Sequence, residues 1–201
     1  MRPPPIALIL PVAWSLSAAA PAEAHQLIPG VGGFPAMMLH PVAATDHLLA
    51  IVALGLLSGR NASRFAPPLL ALTLAVLGGY LAGAIGISPD FAELVPLALA
   101  AICGALGALA CRLSPAILIA LATLTGLAIG SATRPDDPGT PALILTGIGC
   151  AFGAALLFTL FAALARSADR DWQRIALRVA ASWITACAVL VLTLEASRAW
   201  R

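Results

Sequence analysis

The chain has 201 residues, 61% of them hydrophobic and 10% charged, with a mean hydropathy of +0.98. No water-soluble domain of this length needs so much apolar surface, so lipid must be the solvent for most of it. The net charge of +2, carried with 11 arginines and no lysine, is too small to argue for a nucleic-acid partner. There is no basic stripe with interleaved aromatics and no phosphate-cradling glycine loop followed by lysine.

The first 24 residues have the pattern of a secretory signal. Arg2 is the positive start, Ile6 to Ala20 is the apolar stretch, and Ala22-Glu23-Ala24 supplies the small-x-small cleavage site. Prolines at positions 3, 4, 5 and 11 make this stretch a poor permanent membrane span. Cleavage after Ala24 leaves residues 25–201 as a single membrane domain with His25 at its N-terminus. A free N-terminal histidine chelates metal through its amine and imidazole together. Against that stands the plain alternative that His25 simply follows a cleavage site.

Downstream, six apolar segments are each long enough to cross about 30 Å of hydrocarbon. They run over 37–58, 66–87, 93–111, 115–132, 141–165 and 175–195. Turn and charge clusters separate them: Gly59-Arg60-Asn61, Ser88-Pro89-Asp90, Arg112 to Pro115, Arg134 to Gly139, and Arg166 to Arg178. No alternating strand pattern appears, so the expected fold is an all-α, six-helix transmembrane bundle behind a cleaved signal.

Arginine placement predicts the orientation. With the mature N-terminus outside, the first, third and fifth connections face the cytoplasm and carry Arg60, Arg64, Arg112, Arg166, Arg170, Arg174 and Arg178. Only Arg134, Arg198 and Arg201 fall on the other side, together with Asp90, Asp136 and Asp137. Both ends of the mature chain are therefore expected to be extracytoplasmic. Glycines at positions 78, 79, 83, 104, 107, 126, 130, 149 and 153 recur at three- and four-residue spacings. They point to close helix packing in lipid and carry no chemistry of their own.

Two of the three histidines flank an aspartate in His40-Pro41-Val42-Ala43-Ala44-Thr45-Asp46-His47, at the start of the first apolar segment. Ionisable groups at membrane depth are expensive, about +2.5 to +3.5 kcal/mol for Asp at a helix centre, which makes the string a functional candidate. Imidazole and carboxylate together also form a ligand set for a divalent transition metal. On a straight helix, however, His40 and His47 would lie about 10 Å apart along the axis, too far to share one ion. A kink at Pro41, an irregular start, or handover between two sites would be needed. Asp46, adjacent to His47, should point to a different face, toward another helix or into a supporting role. The bland alternative has Asp46 and His47 only tying helices together. Cys103, Cys111, Cys150 and Cys187 contain no CxxC pair and are expected to pack as small hydrophobes rather than as ligands or disulfides.

His40-x5-Asp46-His47, preceded by Gly33-Phe34 and followed by Leu48 to Leu56, resembles the first-helix signature of the HupE/UreJ family. The resemblance extends to the signal, the length and the six-helix plan. It implies a small protein of the bacterial inner membrane that handles nickel or cobalt as a permease, often alongside a hydrogenase or urease maturation system. The metal-handling role falls on His40, Asp46 and His47, and His25 is the candidate collecting ligand. The family's second motif, Phe-His-Gly-x-Ala-His-Gly-x-Glu in the fourth helix, is altered. Leu124 to Ala132 keep the glycine frame but have Thr125 and Ile129 at the histidine positions and Ala132 at the glutamate.

Three functions follow as expectations. The first is a secondary permease for a divalent metal, nickel foremost and cobalt, copper or zinc next, with no permanently bound cofactor and no nucleotide-binding motif. The second is a non-transporting metal-binding accessory protein, which the altered second motif favours. The third, an intramembrane hydrolase, lacks a Gly-x-Ser-Gly string or a serine partner for the histidines, so the chain is not expected to be an enzyme. The bilayer and the metal ion are the expected partners.

Overall fold

A segment in hydrocarbon must satisfy its own backbone amides and carbonyls, and an uninterrupted apolar run does so as an α-helix. The computed structural model describes residues 33–61, 65–87, 94–133 and 142–199, and the described residues form seven helices and no strand. These are α1 (Gly33–Ala43), α2 (Thr45–Asn61), α3 (Ala66–Ala84), α4 (Val95–Ala108), α5 (Pro115–Ala132), α6 (Ala142–Arg166) and α7 (Asp171–Ala199). The signal-peptide reading of residues 1–24 and the assignment of His25 lie outside the described residues.

Four expected segments correspond to α3, α5, α6 and α7 within a few residues. Proline stands in the first turn of α3, α4 and α5, where its missing amide costs nothing. Ser114 caps α5 by accepting a hydrogen bond from the Ile117 amide at 3.4 Å. The first expected segment departs from the sequence reading. It is two helices, α1 and α2, meeting at Ala44 with a bend of 77°.

Four single helices are long and apolar enough to cross a membrane, and the bent pair makes a fifth span when counted as one. The remaining expected crossing is occupied by α4, whose 14 residues reach about 21 Å. The chain is thus a multi-pass membrane protein, with five spans supported by length among the described residues.

Helix α2 forms the centre. It packs against α4 on one side and α6 on the other; α7 lies against α4, α3 fits between α6 and α5, and α1 rests on α6. Accordingly Ile51, Leu54 and Leu57 of α2 are fully buried, whereas Trp172, Trp183 and Leu190 of α7 are more than half exposed. The expected small-residue packing is realised. A Cβ at Gly126 of α5 would fall 2.5 Å from the Leu72 carbonyl oxygen of α3, and one at Gly79 of α3 would fall equally close to that of Leu127. In lipid, where apolar burial alone does not drive helices together, such close backbone contact supplies the dispersion attraction that does.

Candidate metal site

The bend is anchored from both sides by one helix. Gly149 and Gly153, one turn apart on α6, meet Phe34 and Met38, one turn apart on α1. A Cβ at Gly149 would lie 2.6 Å from the Phe34 carbonyl, and one at Gly153 would overlap the Met38 carbonyl. Further along α6, Phe158 and Ala162 receive Gly55 and Gly59 of α2, again backbone against glycine. Helix α6 therefore fixes the directions of both half-helices independently, and the chain must turn between them. At the turn, the Ala44 amide donates to the His40 carbonyl at 3.0 Å and the Leu48 amide donates to the Ala44 carbonyl at 2.9 Å. Pro41 lies inside α1 and is buried, so the break falls three residues after it.

This turn brings the two histidines together. His40 and His47 have ring centres 5.4 Å apart and ring planes inclined at 65°. The straight-helix separation is corrected by the bend, in the direction the sequence reading required. His47 is 3% exposed and His40 half-buried.

Asp46 also departs from expectation. Its Oδ2 lies 3.5 Å from His47 Nε2, so adjacent residues that should diverge on a helix instead pair. Asp46 occupies the first turn of α2. Its carboxylate there faces the positive end of the α2 dipole, while the last carbonyls of α1 present the negative end of theirs to the same bend. The α2 end stabilises the Asp46 carboxylate as an anion, and the α1 carbonyl end together with that carboxylate favours a cation at the bend.

The other ring nitrogen of His47, Nδ1, is buried and makes no hydrogen bond. A buried polar atom without a partner is costly and calls for an explanation. With a carboxylate at Nε2 holding the tautomer, Nδ1 is left as a lone-pair donor, the arrangement in which histidines bind metals. Two imidazoles bound to one ion through nitrogens about 2.0–2.1 Å away would place their ring centres roughly 4.5 to 5.2 Å apart. The observed 5.4 Å is within a small side-chain adjustment of that. Among the described residues no three His, Cys, Asp or Glu side chains form a metal cage. The string is therefore a pair of imidazoles with a carboxylate behind one of them, not a closed three-ligand site.

The positions of the altered second motif face inward. Thr125 and Ile129, one turn apart on α5, are both fully buried, and the Thr125 hydroxyl has no partner. Gly126 and Gly130 between and beyond them are occupied by contact with α3, which explains a glycine frame independent of any ligand. Ser58, three turns below His47 on the same face of α2, is a second buried hydroxyl without a partner. Fully buried Ile51 and Leu54 stand between His47 and Ser58, so this face of α2 is packed closed. The sequence reading did not single out Ser58; a hydroxyl at a helical spacing from His47 within an apolar run was the available signal. Cys103 and Cys150 are buried, and Cys150 Sγ lies 4.0 Å from the Thr133 hydroxyl, as expected of packing thiols.

Compared with known proteins, the chain has no match among curated proteins or solved structures. Residues 13–192 match the profile of the family described as HupE / UreJ protein, which covers the bent helix, α5 and nearly all the rest of the sequence. The chain belongs to the HupE/UreJ family.

Proposed function

We propose that this protein is a permease for a divalent transition metal, nickel foremost, which captures the ion at His40 and His47 on the extracytoplasmic side. The observation that carries the reading is the buried, unpartnered Nδ1 of His47 beside His40 at the bend. Family membership supports the metal, since HupE/UreJ is an accessory and transport family associated with nickel and cobalt rather than a catalytic one. The small ligand count supports passage over storage. Two imidazoles completed by water hold an ion weakly enough to release it, as a conduction pathway requires. Discontinuous helices with their half-helix ends turned toward the substrate are a recurrent way of building such sites. Ile51 and Leu54 below His47 would have to move for the ion to proceed.

A second reading, a metal-binding accessory protein that does not transport, is favoured by Thr125, Ile129 and Ala132 standing where the family carries ligands. Nickel uptake into proteoliposomes by the wild type and by His47→Ala separates the two. Uptake that falls to background in the variant supports the permease. Equal uptake in both, with nickel still bound by the wild type, would leave only the accessory role.

A further inference from the structure

About 20 Å along α2 from His47, at its C-terminal end, the bundle opens into a cavity of about 360 Å³. Four arginines line it, each from a different segment: Arg60 at the end of α2, Arg112 in the α4–α5 connection, Arg166 at the end of α6 and Arg174 in the first turn of α7. Asp169 is the one carboxylate in the lining. No described carboxylate forms an ion pair with Arg60, Arg112 or Arg174, and Arg174 is steadied by donation from its Nε to the Ala168 carbonyl at 3.3 Å.

The walls are tied together by polar contacts. Asn61 donates from Nδ2 to the Leu57 carbonyl at 3.0 Å and accepts the Leu113 amide on Oδ1 at 2.9 Å, which joins the end of α2 to the segment carrying Arg112. Arg178 donates from Nε to the Ala108 carbonyl at 2.9 Å and so attaches α7 to the end of α4. Arg60, Arg112 and Arg174 bring exposed like charges to one void from three segments, and an anion there would join them.

We infer that this cavity binds a phosphate group, either the headgroup phosphate of an anionic lipid or a free phosphate. A carboxylate offers two oxygens in one plane. A phosphate offers oxygens in several directions, which suits arginines contributed to one cavity by different segments. The exposed Trp172, two residues from Arg174, is of the kind that marks the membrane interface, where lipid phosphates lie. Basic pockets between helices at that level bind lipid headgroups. Arginines kept only to orient the chain in the membrane need charge and no particular geometry, and this difference provides the test.

The full chain, purified and stripped of lipid, is titrated with inorganic phosphate and, separately, with vesicles of phosphatidylcholine with and without phosphatidylglycerol. The wild type should bind phosphate, which identifies a free anion as sufficient, or only the phosphatidylglycerol vesicles, which identifies the headgroup. Arg112→Lys with Arg174→Lys keeps the net charge and should weaken binding roughly tenfold or more. Arg198→Lys, outside the cavity, should bind as the wild type does. No binding of either probe by the wild type, or undiminished binding by the double lysine variant, overturns the proposal. Nickel binding at His40 and His47 is measured on the same samples and does not depend on the result.

Discussion

His40 and His47 face each other with ring centres 5.4 Å apart, although seven residues separate them in sequence. The cause lies in α6, whose Gly149 and Gly153 seat α1 while its Phe158 and Ala162 seat α2. The two half-helices, bent by 77°, are thus each seated on the same third helix.

That arrangement predicts that Gly153→Val disables the site from a distance. The new side chain would overlap the Met38 carbonyl and lift α1 from α6, at a cost of about 1–3 kcal/mol in stability. Nickel binding by the purified variant should fall to the level of His40→Ala, while circular dichroism records unchanged helix content. Wild-type affinity in Gly153→Val would mean that the bend is set elsewhere.

Asp46 orients His47 and strengthens it as a donor, without completing a cage. Asp46→Asn should therefore weaken nickel binding by about 10- to 100-fold, the usual effect of losing a carboxylate behind a metal-binding histidine. His47→Ala should abolish it. Equilibrium dialysis of the two variants against nickel gives the order, and an equal loss in both would make Asp46 a direct ligand.

How much of this was legible depends on which physical quantity the sequence encodes. Hydropathy runs and turn clusters located α3, α5, α6 and α7 to within a few residues, because span length in lipid is a property of composition. The bend at Ala44 is not marked by the length of its apolar segment, which reads as one span interrupted at His40 and at Thr45-Asp46-His47. The glycines that seat its first half on α6 lie more than 100 residues away. The His-Asp-His string was visible as a cost in lipid, but its three members could not be assigned distances. Straight-helix geometry put the imidazoles about 10 Å apart and Asp46 on another face. The glycines of the altered second motif were legible as packing residues. The burial of Thr125 and Ile129 was not, since helix α5 is apolar on every side.

Two helix ends offer a matched stability test. Both α3 and α4 terminate with the same pair of hydrogen bonds, Ile87 N–H to Ala82 and Gly86 N–H to Gly83 in one, Cys111 N–H to Leu106 and Ala110 N–H to Gly107 in the other. The left-handed residue is Gly86 in α3, with φ +80°, but Ala110 in α4, with φ 54°. A Cβ in that conformation costs about 1–2 kcal/mol, and glycine loses about 0.4–1 kcal/mol of that advantage through unfolded-chain entropy. Ala110→Gly should therefore stabilise the protein by about 1 kcal/mol and Gly86→Ala destabilise it by a similar amount, read as opposite shifts of the thermal midpoint in detergent.

Thr125 provides the sharpest test of whether the altered second motif still serves the metal. Its hydroxyl is fully buried without a hydrogen bond, a state that costs about 1–3 kcal/mol relative to an apolar group of the same shape. Valine is that group. If Thr125 is only a packed residue left at a former ligand position, Thr125→Val should raise the thermal midpoint and leave both nickel binding and uptake as in the wild type. The expected outcome differs for a permease. Under that reading an ion leaving the imidazoles would meet other donors in the core, and the buried Thr125 hydroxyl on α5 is one of the candidates. Under the permease reading Thr125→Val is more stable and binds nickel at His40 and His47 with unchanged affinity, yet its uptake rate falls. Parallel measurement of affinity, stability and uptake on this single variant therefore distinguishes capture at the bend from passage through the bundle.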